Sequence, residues 1–161
     1  MRGQAIVYET LEKMGIAYGY AEHIPVFTVE EMEKLPLPDD VVIAKNLFLR
    51  DHKGKRHFLV VVHQNKNADL KRLGEKLGTR LSFASEERLE KYLDLKKGSV
   101  SPLAAVNDGG KQVEFFFDRD LEACPRIGVH PNDNSATLFM TFADIVRVVE
   151  EHGNPVAVID A

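Results

Sequence analysis

Residues 41–51 read VVIAKNLFLRD. Four apolar residues run into Lys45 and Asn46, after which Leu47, Phe48 and Leu49 resume the run. A β-strand sends successive side chains to opposite faces, so Lys45 and Asn46 point opposite ways and at least one approaches the interior or a cleft. A lysine is seldom placed there without a partner. Downstream, the polar turn HKGK separates LFLRD from RHFLVVVH, and two apolar runs flanking a glycine-containing turn predict a β-hairpin.

Working outward, Val7, Leu11 and Met14 at helical spacing predict a helix over 4–14, with Gly15 as its C-terminal cap. Thr28 and Glu31 stand in capping-box positions at the head of a short helix, TVEEMEKL. Residues 69–77 and 85–93 read as helices, the second capped by Ser85, with Glu86 and Glu87 favouring its positive end. VNDGGKQVEFFFD reads as a second hairpin, ATLFM as a strand, TFADIVRVVEEHG as a helix capped by Thr141 and ended by Gly153, and VAVID as a closing strand. Strands and helices mix without strict alternation. The expected architecture is therefore one α+β domain over residues 1–161, a mixed, largely antiparallel sheet flanked by helices.

Composition narrows the function classes. The runs VVIA and FLVVV fall far short of the roughly 20 residues of a membrane helix, and the opening MRGQAIVYETLEK turns acidic too soon for a secretory signal. One cysteine, Cys124, cannot form an internal disulfide, and a soluble, cytoplasmic protein without a membrane partner is expected. The net charge of −4 conceals an asymmetry: residues 45–80 carry +7 and the remainder −11. Such a basic segment on an acidic body either meets an anionic partner or is simply a solvated surface.

No local pattern carries a nucleophile or a metal. His57 and His63 share strand parity but lie six residues apart, roughly 20 Å along a strand, with no ligand spacing around them. Cys124 has no motif about it and reads as a buried or incidental thiol. GGK at 109–111 lacks the other positions of a phosphate loop, and NDGG reads as a turn. The loop GSVSP, residues 98–102, lets backbone approach a ligand at Gly98 and fixes its exit at Pro102, or is an ordinary helix-to-strand turn. In GVHPNDN, His130 precedes a proline and is extended, and a tight polar turn follows.

Taken in order, EHIPVFTVEE, AKNLFLRD, HFLVVV, LSFASEE, GSVSP, VNDGG and IGVHPNDNSAT resemble the YbaK/ProX family of aminoacyl-tRNA editing domains over nearly the whole chain. Within it, the resemblance is greatest to freestanding deacylases of alanyl-tRNA(Pro), relatives of the insertion domain of bacterial prolyl-tRNA synthetase. It implies a catalytic set of Lys45, Asn46, Gly98 and His130, with Ser99, Ser101 and Pro102 in the substrate loop. No metal or cofactor is implied. An aminoacyl ester is already activated, so water, a held carbonyl and a stabilised oxyanion suffice. The implied partner is the acceptor end of tRNA(Pro), its phosphates meeting Arg50, Lys53, Lys55, Arg56 and Lys71, with prolyl-tRNA synthetase or an elongation factor assisting. Val26, Val29 and Met32 are expected either to wall the amino-acid pocket or simply to pin the short helix to the core. Two other readings stay open: the cysteinyl-tRNA(Pro) branch of the family, and a non-catalytic module that binds tRNA ends.

Overall fold

The strand that carries Lys45 and Asn46, β2 (Val41–Asp51), is the axis of an eight-stranded mixed sheet. The structure, a computed structural model, describes residues 3–67 and 69–161, without the side chain of Val29. The hairpin partner is β3 (His57–His63), paired antiparallel with Lys45 opposite Val62 and Arg50 opposite His57. β3 is buried from His57 to Val62, which is why its sequence is an unbroken apolar run and not an alternating one. Asp51 ties the turn, its Oδ1 accepting the N–H groups of Lys55 (2.8 Å) and Arg56 (3.1 Å).

The remaining strands are β1 (Gly19–Glu22), β4 (Leu81–Phe83), β5 (Val113–Asp118), β6 (Arg126–Val129), β7 (Ala136–Met140) and β8 (Val156–Ile159), in spatial order β1-β7-β6-β2-β3-β5-β8 with β4 beside β2. Four pairings are antiparallel and three, β2/β6, β3/β5 and β5/β8, are parallel. The hairpin expected over residues 106–118 does not form. NDGG is a turn, with Lys111 N–H bonded to Asp108 O, but it leads out of a 3-10 helix over Pro102–Asn107 into the single strand β5, both of whose neighbours are parallel. Buried Asp108 makes that entry by accepting Val113 N–H and Asn154 Nδ2 at 2.8 Å each.

Five α-helices cover both faces: α1 (Ala5–Met14), α2 (Val29–Glu33), α3 (Leu70–Leu77), α4 (Glu86–Leu93) and α5 (Phe142–His152). Each of α2 to α5 is capped by the side chain its sequence offers, Thr28, Asp69, Ser85 and Thr141. One sheet face packs Phe48, Leu59, Phe115 and Phe117 against α1, α4, α5 and the 3-10 helix. On the other, Leu47, Leu49, Val60 and Val62 meet Leu73 of α3, while Val26, Met32 of α2 and Ile43 form a smaller cluster at the β2 N-terminal end. No helix among the described residues is long and apolar enough to cross a membrane.

β2 is longer than any neighbour on one of its edges, and this asymmetry creates the site. On that edge residues 41–43 pair with β6 and residues 49–51 with β4, and the two strands do not meet. Past Phe48, whose C=O accepts the Ala84 N–H, the edge is open over residues 44–47.

Candidate active site

A cavity of about 300 Å³ lies at this gap, lined by Ala44, Lys45, Asn46 and Leu47 of β2. Lys45 and Asn46 fall on opposite faces of the strand, and because the sheet is split beside them both reach the same cavity. The Ile43 N–H is turned to the β3 side, where it donates to Gln64 Oε1 at 2.8 Å. Alternation then turns the main-chain N–H and C=O of Ala44 and Asn46 towards the gap. The Asn46 side-chain Oδ1 is buried and has no hydrogen-bond partner, an unfavourable condition unless something binds there. Lys45 is half-buried, and its Nζ donates to the Lys66 carbonyl at 2.7 Å.

Two loops close the cavity. Gly98 lines it with φ +90°, a conformation that suits glycine, and its Cα faces the Phe27 ring so closely that a Cβ would lie 2.7 Å from Phe27 Cδ1. From the expected substrate loop Val100 also lines the cavity, whereas Ser99, Ser101 and Pro102 are buried behind it; the Ser101 hydroxyl caps the 3-10 helix by accepting the Leu103 N–H. His130 leaves β6 at the opposite wall. Its Nδ1 sits 2.9 Å from the Ala136 carbonyl, which can only accept, so Nδ1 carries the proton and Nε2 is left with its lone pair. Burial holds the His130 pKa below the ordinary histidine value, the neighbouring His23 adds to this, and the ring is neutral at pH 7.

The apolar end is made by Val26, Met32 and Ile43. The side chain of Val29, the remaining expected wall residue, lies outside the described residues. Gly128 completes this end: a Cβ there would come within 2.8 Å of Ile43 Cδ1 and 3.2 Å of Thr137 Cγ2. A glycine inside a strand pattern is the sequence signal for such a close approach. Thr137 and Thr28 supply the hydroxyls of the lining, and each is engaged, Thr137 with His23 Nε2 at 2.8 Å and Thr28 as the α2 cap.

The basic residues are dispersed. Lys53 and Lys55 are exposed in the hairpin turn, one strand length from Lys45, roughly 20 Å. That turn is held by Arg88, which donates to Gly54 O at 2.9 Å and to His57 Nε2 at 3.0 Å. Arg50 flanks it, Lys71 is exposed on α3, and Arg56 is engaged in a bidentate pair with Glu114. The count over 45–80 stops short of Lys96 and Lys97, which are exposed directly before Gly98 and pair with no carboxylate among the described residues. No group of three metal-ligating side chains occurs among the described residues. Burial, with Asp118 and Asp120 nearby, pushes the Cys124 thiol up, which disfavours the thiolate.

Residues 23–148 match the aminoacyl-tRNA editing domain. The chain is 46% identical to the prolyl-tRNA editing protein ProX of Acetoanaerobium sticklandii, over 99% of this chain and 98% of that one. It is 39% identical to prolyl-tRNA synthetase associated domain-containing protein 1 of Danio rerio, over 89% of this chain and 79% of that one. Among solved structures, a candidate trans-editing enzyme for prolyl tRNA synthetase superposes with a TM-score of 0.69 at 20% identity, covering 96% of this chain and 94% of its own. A hypothetical protein superposes with a TM-score of 0.75 at 21% identity, over 94% of this chain and 97% of its own. By sequence over nearly its full length, this chain belongs to the aminoacyl-tRNA editing domain family, a family of ester-hydrolysing deacylases.

Proposed function

We propose that this chain edits in trans, hydrolysing the ester that joins alanine to mischarged tRNA(Pro). The observation that carries the reading is the meeting, in the lining of one cavity, of the Lys45 side chain and of Asn46, whose Oδ1 has no partner, with no serine or cysteine among the described residues of that lining. A site of this kind binds a charged ester and lets water attack it. The substrate α-ammonium donates to Asn46 Oδ1 or to the Gly98 backbone. Lys45 faces the terminal phosphate or the carbonyl oxygen, and the Asn46 main-chain N–H at the open edge supplies a second donor for the oxyanion. His130 Nε2 accepts a hydrogen bond from the attacking water and orients it. The water oxygen bonds to the acyl carbon, the bond from that carbon to the ribose oxygen breaks, and the water proton ends on the ribose. Free alanine and uncharged tRNA leave.

Val26, Met32 and Ile43 leave room for a methyl group and exclude the proline ring, so the correct product survives. Steric exclusion can exceed the ~1–3 kcal/mol available from one missing methylene. The tRNA end enters past Phe27, Lys96 and Lys97, and phosphates of its stem meet the dispersed basic residues Arg50, Lys53, Lys55 and Lys71. Prolyl-tRNA synthetase or an elongation factor hands over the substrate in the cytoplasm, which relieves an acidic protein of gripping a whole tRNA.

The test is a deacylation panel of alanyl-, cysteinyl-, seryl- and prolyl-tRNA(Pro), with Lys45→Ala beside the wild type. Preferred alanyl hydrolysis, reduced on the order of a hundredfold by Lys45→Ala, is expected; this corresponds to loss of about 3 kcal/mol of transition-state stabilisation. Preferred cysteinyl hydrolysis would place the chain in the other branch of the family. Tight binding without turnover would make it a binding module.

A further inference from the structure

We propose that Lys66 and Asp118 are positioning residues for Lys45: an ion pair whose carboxylate is wholly buried fixes the carbonyl that aims the Lys45 ammonium into the cavity. The inference rests on the role given to Lys45 above. Lys66 lies in the loop after β3 and is used at both ends. Its carbonyl accepts Lys45 Nζ at 2.7 Å, while its own Nζ donates to Asp118 Oδ1 at 2.7 Å, contacts Asp120 Oδ2 at 2.9 Å and reaches the Ala161 carbonyl at 3.1 Å. An ammonium has three donors, so that of Lys66 is saturated and has none left for substrate. Lys45 makes one such bond, and its other two N–H groups have no partner among the described residues.

Asp118 anchors the arrangement at the end of β5. It is 0% exposed, its Oδ2 accepts the His63 N–H at 3.1 Å, and its Oδ1 accepts the Asp120 N–H at 3.1 Å as well as the Lys66 ammonium. Burial alone would raise its pKa, but the Lys66 ammonium and these two N–H groups outweigh burial and hold it below the ordinary carboxylate value. The same loop grips β2 a second time, two residues before Lys45, through Gln64 and the Ile43 N–H. An ion pair with a wholly buried carboxylate and a lysine only 26% exposed is a poor way to gain stability, because desolvation offsets much of its attraction. It is a good way to specify one geometry. A flexible four-carbon side chain beside an open cavity needs that, since a misplacement of about 1 Å at a reacting centre costs on the order of a hundredfold in rate.

The experiment is single-turnover deacylation of alanyl-tRNA(Pro) by Lys66→Met, Lys66→Arg, Asp118→Asn, Lys45→Ala and the double variant Lys45→Ala/Lys66→Met, with thermal unfolding of each. Asp118→Asn keeps an acceptor for the His63 N–H, so it is the variant best placed to fold should Lys66→Met not do so. Lys66→Met and Asp118→Asn are expected to lower the rate at saturating enzyme about tenfold or more with little change in half-saturation. Lys66→Arg should recover most of it, because a guanidinium still spans Asp118 and Asp120. In the Lys45→Ala background Lys66→Met should have no further effect, as it acts through Lys45. Folded Lys66→Met or Asp118→Asn with the wild-type rate, or an undiminished effect in the Lys45→Ala background, overturns the positioning role while leaving that of Lys45 standing. A wild-type rate for Lys45→Ala overturns both.

Discussion

Replacing Gly98 by alanine tests how the loop over residues 98–102 is held. Two penalties compete. The backbone there has φ +90°, and an L residue held on that side costs about 1–2 kcal/mol. The new Cβ would also sit 2.7 Å from Phe27 Cδ1 and 3.4 Å from Asn134 Nδ2. The first distance is well inside the roughly 3.5–4.0 Å at which carbon atoms attract. Phe27, however, is 60% exposed, and its ring can swing outward for at most about 1 kcal/mol. Backbone strain therefore dominates. Downstream the chain cannot yield, because Ser101 is wholly buried and Leu103 to Ala105 are packed in the core. Relaxation falls on the exposed Lys96–Gly98 side and carries the Gly98 backbone away from the cavity. Single-turnover assays should show a rate loss on the order of a hundredfold for a shift of about 1 Å. Thermal unfolding should show a drop of no more than roughly 4–8 °C, the equivalent of about 2 kcal/mol in a domain of this size. Adding Phe27→Ala should leave the rate low, since it removes the contact and not the strain. A wild-type rate in Gly98→Ala, or full recovery in the double variant, would refute this reasoning.

The neutral His130 ring predicts a rate that falls as pH drops through its folded-state pKa, which lies below the ordinary histidine value, with His130→Gln losing this dependence. Stability should fall from about pH 6.5 down to that folded-state pKa, because there the unfolded chain binds the proton more readily than the folded one, and denaturant titrations at several pH values will show it. Met32→Ala should open the apolar end of the cavity, so that prolyl-tRNA(Pro) becomes a substrate while alanyl-tRNA(Pro) is still hydrolysed; a folded variant inert to prolyl-tRNA would move the wall to Ile43 and Gly128. Lys53→Glu and Lys96→Glu should each weaken tRNA binding and flatten its salt dependence by about one unit of slope or more, whereas Arg56→Glu, at a position already paired with Glu114, should change both less.

Much of this protein follows from local chemistry that a sequence displays. Caps at Thr28, Asp69, Ser85 and Thr141 begin four of the five helices, because a side-chain oxygen there meets an otherwise orphaned N–H three residues on. The β2–β3 hairpin follows from two apolar runs and a glycine turn, and the interruption at Lys45 and Asn46 marks a residue pair that a buried strand alone would not carry. Tertiary structure decided what depends on residues distant in sequence. The apolar run of β5 looks the same whether its neighbours are parallel or antiparallel, so the misread second hairpin has no local signal against it. The short strands β1, β4 and β6 are stabilised by pairing and not by their own pattern. Above all, the cavity exists because β6 and β4 occupy the same edge of β2 without meeting, and nothing within residues 41–51 specifies where two strands from elsewhere in the chain will stop. The same is true of the partner of Lys45. Its ammonium is held by a carbonyl 21 residues away, which is held in turn by a carboxylate 52 residues further on, and only folding brings the three together.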